Sequence, residues 1–284
     1  MKIGLVLSGG FAKGAYQLGA IKAVKELIPF EDFASVSTSS VGALNGYAFV
    51  ADRLDMIEDM WLNIFDGKKR MFITELLQSE LLQRDIIDIC KDEQPCIQLY
   101  TDLVDFSKKQ VYYKDLRKID PKDIPTYLKA SVAFPGFNKS VRIGENKFFD
   151  GGFIDNIPVK PLLDKELDYI ICIYFDDIGY KFEDSAFDNK IIKITFPEMT
   201  GIKSSFLIKP DDIVQMIAYG YERANEILKK IIENDHTDTE RIFKNIVEHN
   251  KTLGKPALRL TTDVVITNVN KTLERFTKRN IVID

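Results

Sequence analysis

The stretch Ile3-Gly4-Leu5-Val6-Leu7-Ser8-Gly9-Gly10-Phe11-Ala12-Lys13-Gly14 decides the fold. Ile3 to Leu7 is a short apolar run bounded by turn residues, the pattern of a buried strand. Gly9 to Gly14 supplies the turn. Ala15 to Leu27 then carries Leu18, Ile21, Val24 and Leu27 at helical spacing, with Pro29 just beyond. The motif recurs: Phe33 to Ser37 reads as a strand, and a serine-rich corner leads into a helix over Gly42 to Val50. Strand, tight turn and helix, twice over, predict an α/β architecture.

Further along, Arg53 to about Asp92 reads as mostly helical. Ile97 to Tyr100 and Gln110 to Tyr113 read as paired strands joined by Phe106-Ser107-Lys108-Lys109. A helix is expected over Thr126 to Val132, and a sharp turn at Asp150-Gly151-Gly152. Tyr169 to Phe175 and Ile191 to Phe196 are buried-strand candidates, and a long helix opens near Pro210. Asp235 to Glu240 is polar, and the tail beyond it has no clear period. No repeat, low-complexity tract or interdomain linker interrupts the chain, so one main domain is expected.

Composition narrows the function. Of 284 residues, 45% are hydrophobic and 29% charged, the mix of a globular protein with a sizeable core. With 39 basic and 43 acidic residues the formal charge is −4, which lacks the basic excess of a nucleic-acid binder. Cys90, Cys96 and Cys172 cannot all pair and form no C-x-x-C, which favours a reduced, cytoplasmic setting. The first apolar run is too short for a signal-peptide core, and no later run approaches the ~18 residues of a membrane span. The two histidines, His236 and His249, both lie late in the chain. Catalysis by histidine, or a histidine metal site, is therefore excluded from the first 235 residues.

Three constellations carry chemistry. In Ser8 to Gly14 the glycines bare backbone N–H groups at a helix start, where they bind a phosphate or an oxyanion, and Lys13 adds positive charge. The spacing misses both the dinucleotide G-x-G-x-x-G and the P-loop pattern. In Thr38-Ser39-Ser40-Val41-Gly42-Ala43-Leu44-Asn45 a serine on a strand-to-helix turn presents its hydroxyl above the sheet; the bland alternative is a helix N-cap. In Asp150-Gly151-Gly152-Phe153-Ile154-Asp155, Asp150 is either an Asx-turn former or a general base for that serine.

Together these blocks resemble the patatin-like phospholipase family, whose members use a serine–aspartate dyad without histidine. Gly9-Gly10-Phe11-Ala12-Lys13-Gly14 is similar to the family's oxyanion segment, Gly-Gly-Gly-x-Arg/Lys-Gly. The second block resembles its nucleophile elbow, with Ser40 in the serine position, and the third its Asp-Gly-Gly/Ala block, with Asp150 as the aspartate. Ala130-Ser131-Val132-Ala133-Phe134-Pro135-Gly136-Phe137 and the stretch Pro210 to Ala224 are also similar to family segments.

The resemblance implies a three-layer α/β sandwich with a central, mostly parallel sheet. It implies a lipid acyl hydrolase with Ser40 as nucleophile and Asp150 as general base. Gly9, Gly10 and Phe11 would form the oxyanion hole, aided by Val41 N–H. Lys13 and Gly14 would support the turn, and Thr38, Val41 and Gly42 shape the elbow. No metal or organic cofactor is required. The implied substrate is a phospholipid, lysophospholipid or other acyl ester, met at transient contact with a membrane surface. Residues 1–234 would be the hydrolase domain, with a lid-like helical insertion at about 53–95, and 235–284 a C-terminal extension.

Two positions depart from the pattern. Phe11 replaces a glycine, at a cost on the order of 1 kcal/mol if its φ is positive; at ordinary φ its ring would line the acyl site. Thr38, β-branched, crowds the elbow. Trp61, Phe65 and the leucines of 76–82 suit either core packing or a lipid-facing lid. Lys68-Lys69-Arg70 reads as a solvated turn, and Asp102 is assigned no catalytic role. Two other readings stand beside the hydrolase. One is a lipid-binding protein of the same fold made inactive by Phe11 and Thr38. The other is a nucleotide binder using Gly9 to Gly14, with Glu31 or Asp32 on the ribose.

Overall fold

The computed structural model describes residues 1–91, 93–175, 188–196, 207–233, 235–253 and 281–284. The chain opens with β1 (Ile3–Leu7), α1 (Gly14–Leu27), β2 (Phe33–Thr38) and α2 (Val41–Val50), as the opening stretch predicts. A mainly helical segment follows: α3 (Leu54–Asn63), β3 (Met71–Phe72), α4 (Ile73–Leu77) and α5 (Glu80–Cys90). Next come β4 (Gln98–Asp105), β5 (Gln110–Asp115), α6 (Ile124–Ser131), β6 (Val141–Ile143) and β7 (Asn146–Asp150). The last described elements are β8 (Tyr169–Tyr174), β9 (Ile191–Thr195), β10 (Leu207–Ile208), α7 (Pro210–Ile232), α8 (Thr239–Thr252) and β11 (Ile281–Ile283).

The main sheet runs β11-β5-β4-β2-β1-β8-β9. Every pairing along that path is parallel except the β4–β5 hairpin. Strands β1 and β8 are buried along their whole length, as expected of strands covered on both faces. Helices α1 and α7 pack on one another at very close range. A Cβ on Gly19 would lie 1.9 Å from the Ile217 carbonyl oxygen, and one on Gly220 2.0 Å from that of Tyr16. Only glycine permits that approach. Helix α7 begins with Pro210 at its first turn, where Asp212 accepts a hydrogen bond from Lys209 N–H at 3.0 Å.

Beyond residue 235, the described pieces pack onto the same sheet. Helix α8 buries Ile242 and Ile246, and β11 pairs in parallel with β5. The hairpin β6–β7 was not anticipated by the sequence reading, and it places the functional site. Strand β2 pairs with β4 from Gln98 to Thr101, and β7 pairs with β4 at Leu103 and Val104. Because β5 occupies the other edge of β4, β2 and β7 share one edge and run in opposite directions. Their C-terminal ends therefore converge at Asp102.

Candidate active site

Ser40 sits two residues beyond the end of β2, immediately before α2, with φ 53° and ψ −130°. A non-glycine residue held in that region is strained, by of order 1–3 kcal/mol. Neighbouring hydrogen bonds hold it there: Ser39 N–H donates to the Leu7 carbonyl at 3.0 Å, and Gly42 N–H to the Ser39 carbonyl at 2.8 Å. Thr38 does not crowd this turn. Its hydroxyl donates to the Tyr100 carbonyl at 2.7 Å, and its methyl fills the space that a Cβ on Gly46 would need, 2.6 Å away.

Asp150 ends β7. Its N–H donates to the Ala133 carbonyl at 3.0 Å, so the Ala130–Phe137 block anchors it from the far side. Gly152 N–H donates to Oδ1 at 2.8 Å, and the Ser40 hydroxyl donates to Oδ2 at 2.5 Å. Burial pushes the Asp150 carboxyl up to about 7, and the bonds from Ser40 and Gly152 oppose that rise. The Ser40 hydroxyl is thus held against a buried carboxyl at the junction of β2 and β7.

Asp102, at that junction, is fully buried, and neither of its carboxylate oxygens finds a well-formed hydrogen bond. Burial, and the carboxylates of Asp150 and Asp155, raise its pKa well above the usual range; the Ser39 hydroxyl beside it tempers the effect. Asp102 is thus a buried carboxyl packed beneath Ser40 and Asp150, in surroundings that disfavour its charge. Sequence reasoning gave it no role, and only its place between two converging strands reveals it.

The glycine turn lies over Ser40. Gly9 N–H donates to the Asn156 carbonyl at 3.3 Å. What Gly9 supplies is room: a Cβ there would sit 2.7 Å from Ser40 Cβ and 2.4 Å from Asn156 Oδ1. Gly10 N–H and Val41 N–H donate to no described residue. Phe11 does adopt positive φ, 51°, and its ring also lines the site, with Phe134 at 5.0 Å and Phe137 at 6.4 Å between centroids. Lys13 closes the turn through its N–H to the Gly10 carbonyl at 3.0 Å.

A buried amide bridge fixes this turn to α2. Gln17 donates to the Ser8 carbonyl at 3.0 Å. Asn45 donates to the Gly14 carbonyl at 2.8 Å and to Gln17 Oε1 at 2.9 Å, and accepts from Trp61 Nε1 at 3.3 Å. Sequence reasoning passed over Gln17 and Asn45, since polar residues on buried helix faces show no spacing signal.

Beside Ser40 lies a slot whose other walls are all apolar, among them Phe11, Val41, Leu44, Met60, Trp61 and Val132. Its void is about 20 Å³, room for about one water. Trp61, Phe65, Leu76, Leu77 and Leu82 are buried. Trp61, Leu76, Leu77 and Leu82 line the slot, and their burial fits the core reading of this segment.

The two histidines bond elsewhere. His236 Nε2 lies 2.8 Å from Asp32 Oδ2, and His249 Nε2 lies 3.0 Å from the Lys193 carbonyl on the edge strand β9. Among the described residues no group of three His, Cys, Asp or Glu is placed to hold a metal ion, and no helix is long and apolar enough to cross a membrane.

Comparison with known proteins places the chain. An uncharacterised NTE family protein of Mycobacterium bovis is 26% identical over 185 residues, which is 61% of this chain and 48% of that protein. The lysophospholipase nte1 of Aspergillus terreus is 27% identical over 193 residues, which is 62% of this chain and 12% of that protein. The chain thus matches less than half the length of these relatives. Among solved structures, VipD from Legionella pneumophila is similar, with 14% identity and a TM-score of 0.49, covering 87% of this chain and 74% of that one. A family model described as patatin-like phospholipase matches residues 5–163, more than half of the chain and inclusive of Ser40 and Asp150. The chain belongs to the patatin-like phospholipase family.

Proposed function

We propose that the chain is a lipid acyl hydrolase working through a Ser40–Asp150 dyad. The observation that carries this reading is the 2.5 Å hydrogen bond from the Ser40 hydroxyl to Asp150 at the mouth of an apolar slot. As Ser40 Oγ bonds to the ester carbonyl carbon, its proton passes to Asp150 Oδ2 and the carbonyl oxygen becomes an oxyanion. Gly10 N–H, Phe11 N–H at the strained turn and Val41 N–H at the start of α2 are the donors for that charge. Collapse breaks the bond to the leaving alkoxide, which takes the proton back from Asp150. Water then attacks the acyl-enzyme with Asp150 again as base, releasing a carboxylic acid and restoring Ser40. A base near 7 suits this work, because it is largely ionised just above neutrality and still able to return a proton.

The apolar lining of the slot suits the start of an acyl chain beside Ser40, which favours an acyl ester such as a phospholipid or lysophospholipid as substrate. Residues 1–234 form the catalytic unit, the segment at about 53–95 walls the slot, and the described residues beyond 235 pack on the sheet. Contact with a lipid surface falls to exposed Phe72 and Leu62 beside Lys68-Lys69-Arg70. Fatty acid release from phospholipid and lysophospholipid, followed by product analysis, tests the reading. Wild type should release it, and Ser40→Ala and Asp150→Ala should not. Equal turnover by all three would sink the dyad.

A further inference from the structure

The segment that walls the slot borders a second space. A cleft of about 210 Å³ lies between α3 and α5. Its exposed lining is polar, with Asp59, Asn63, Arg84 and Asp88, and its less exposed lining includes Met56, Leu81 and Ile89. Among the described residues, Met60 alone borders both the slot and the cleft. It is 3% exposed and forms part of the wall of each. Methionine is unbranched, with three rotatable bonds, so a change of rotamer can move it out of a shared wall. With Met60 in place, the slot's void of about 20 Å³ is too small for a long chain.

Resting on the acyl-ester reading of Ser40, we propose that Met60 sets the acyl chain length this site accepts. In place it confines the slot to short chains. Turned aside, it joins the slot to the α3–α5 cleft, and the far end of a long chain runs out past Met56, Leu81 and Ile89. The polar rim of the cleft then meets solvent at the chain's end.

The test compares kcat/KM for p-nitrophenyl laurate and p-nitrophenyl butyrate, because a ratio is insensitive to general damage. Each further buried methylene is a gain of about fourfold. Met60→Ala, which opens the shared wall, should raise the laurate-to-butyrate ratio about tenfold or more. Leu81→Trp, which fills the cleft from its partly exposed side, should lower the ratio by a similar factor, and it carries the test alone if Met60→Ala does not fold. Unchanged ratios in the folded variants, or equal losses on both esters, would overturn the proposal. If wild type cleaves neither ester and Ser40 resists a fluorophosphonate, the acyl-ester reading itself falls, a result distinct from an unchanged ratio.

Discussion

Replacing Asp150 by asparagine should make the protein more stable at neutral and alkaline pH while abolishing its chemistry. Burial raises this carboxyl from 3.8 to about 7. The folded chain therefore keeps a proton that the unfolded chain has already released. Stability falls with pH wherever the folded state binds more protons, so the loss runs upward from about pH 4 and ends just above pH 7. A rise of about three units at 1.36 kcal/mol each amounts to about 4 kcal/mol in full. Asparagine has the same shape and satisfies both neighbours, accepting from Gly152 N–H and donating to Ser40 Oγ, but carries no titration. The assay is urea unfolding of both proteins from pH 5 to pH 8. The advantage of Asp150→Asn should widen by about 2–3 kcal/mol over that range and stay level above it. Ser40→Ala, which removes a hydrogen bond that opposes the rise, should move the wild-type slope to higher pH. A gap that stays constant, or narrows as pH rises, would refute the claim that Asp150 is a desolvated carboxyl.

Other outcomes follow from the same geometry. Hydrolysis by wild type should climb about tenfold per pH unit below 7 and flatten above it, as a base near 7 requires; a rate–pH profile reads this directly. Asp102→Asn should leave that midpoint in place, because burial and the bonds from Ser40 and Gly152 set it; a downward shift would show that the Asp102 carboxylate repels Asp150. Gly9→Ala should lower kcat by about 100-fold or more, since a methyl 2.7 Å from Ser40 Cβ must displace the nucleophile. Gln17→Met strips the Ser8 carbonyl and the Asn45 amide of buried partners, and thermal unfolding should register a loss of about 2 kcal/mol or more.

The α/β frame was legible because buried strands and amphipathic helices write their period directly into sequence. Ile3 to Leu7 forms a strand as its apolar run indicates, Phe33 to Thr38 forms the more faintly marked second one, and α1 and α2 follow the turns that precede them. Ser40 and Asp150 were legible as separate motifs, each with an ordinary structural explanation. Their meeting was implied by the family resemblance alone, because it depends on β7 taking over the edge of β4 that β2 leaves at Thr101. Strands β6 and β7 are short and half exposed, and so lack the apolar run that marks a strand. Asp102 is silent for a related reason, since burial of a lone carboxyl is a property of its surroundings. Phe11 shows the limit of steric reasoning. Its positive φ was foreseen as a cost, and the packing of its ring on Phe134 and Phe137 offsets part of that strain.

The central claim is that Ser40, activated by Asp150, is the nucleophile. Intact-mass and peptide analysis after treatment with a fluorophosphonate tests it most directly. Wild type should gain one adduct, on Ser40. Ser39→Ala should still be labelled, Ser40→Ala should not, and Asp150→Asn should react far more slowly. An adduct on Ser39 or elsewhere, or labelling of Asp150→Asn at the wild-type rate, would contradict the account.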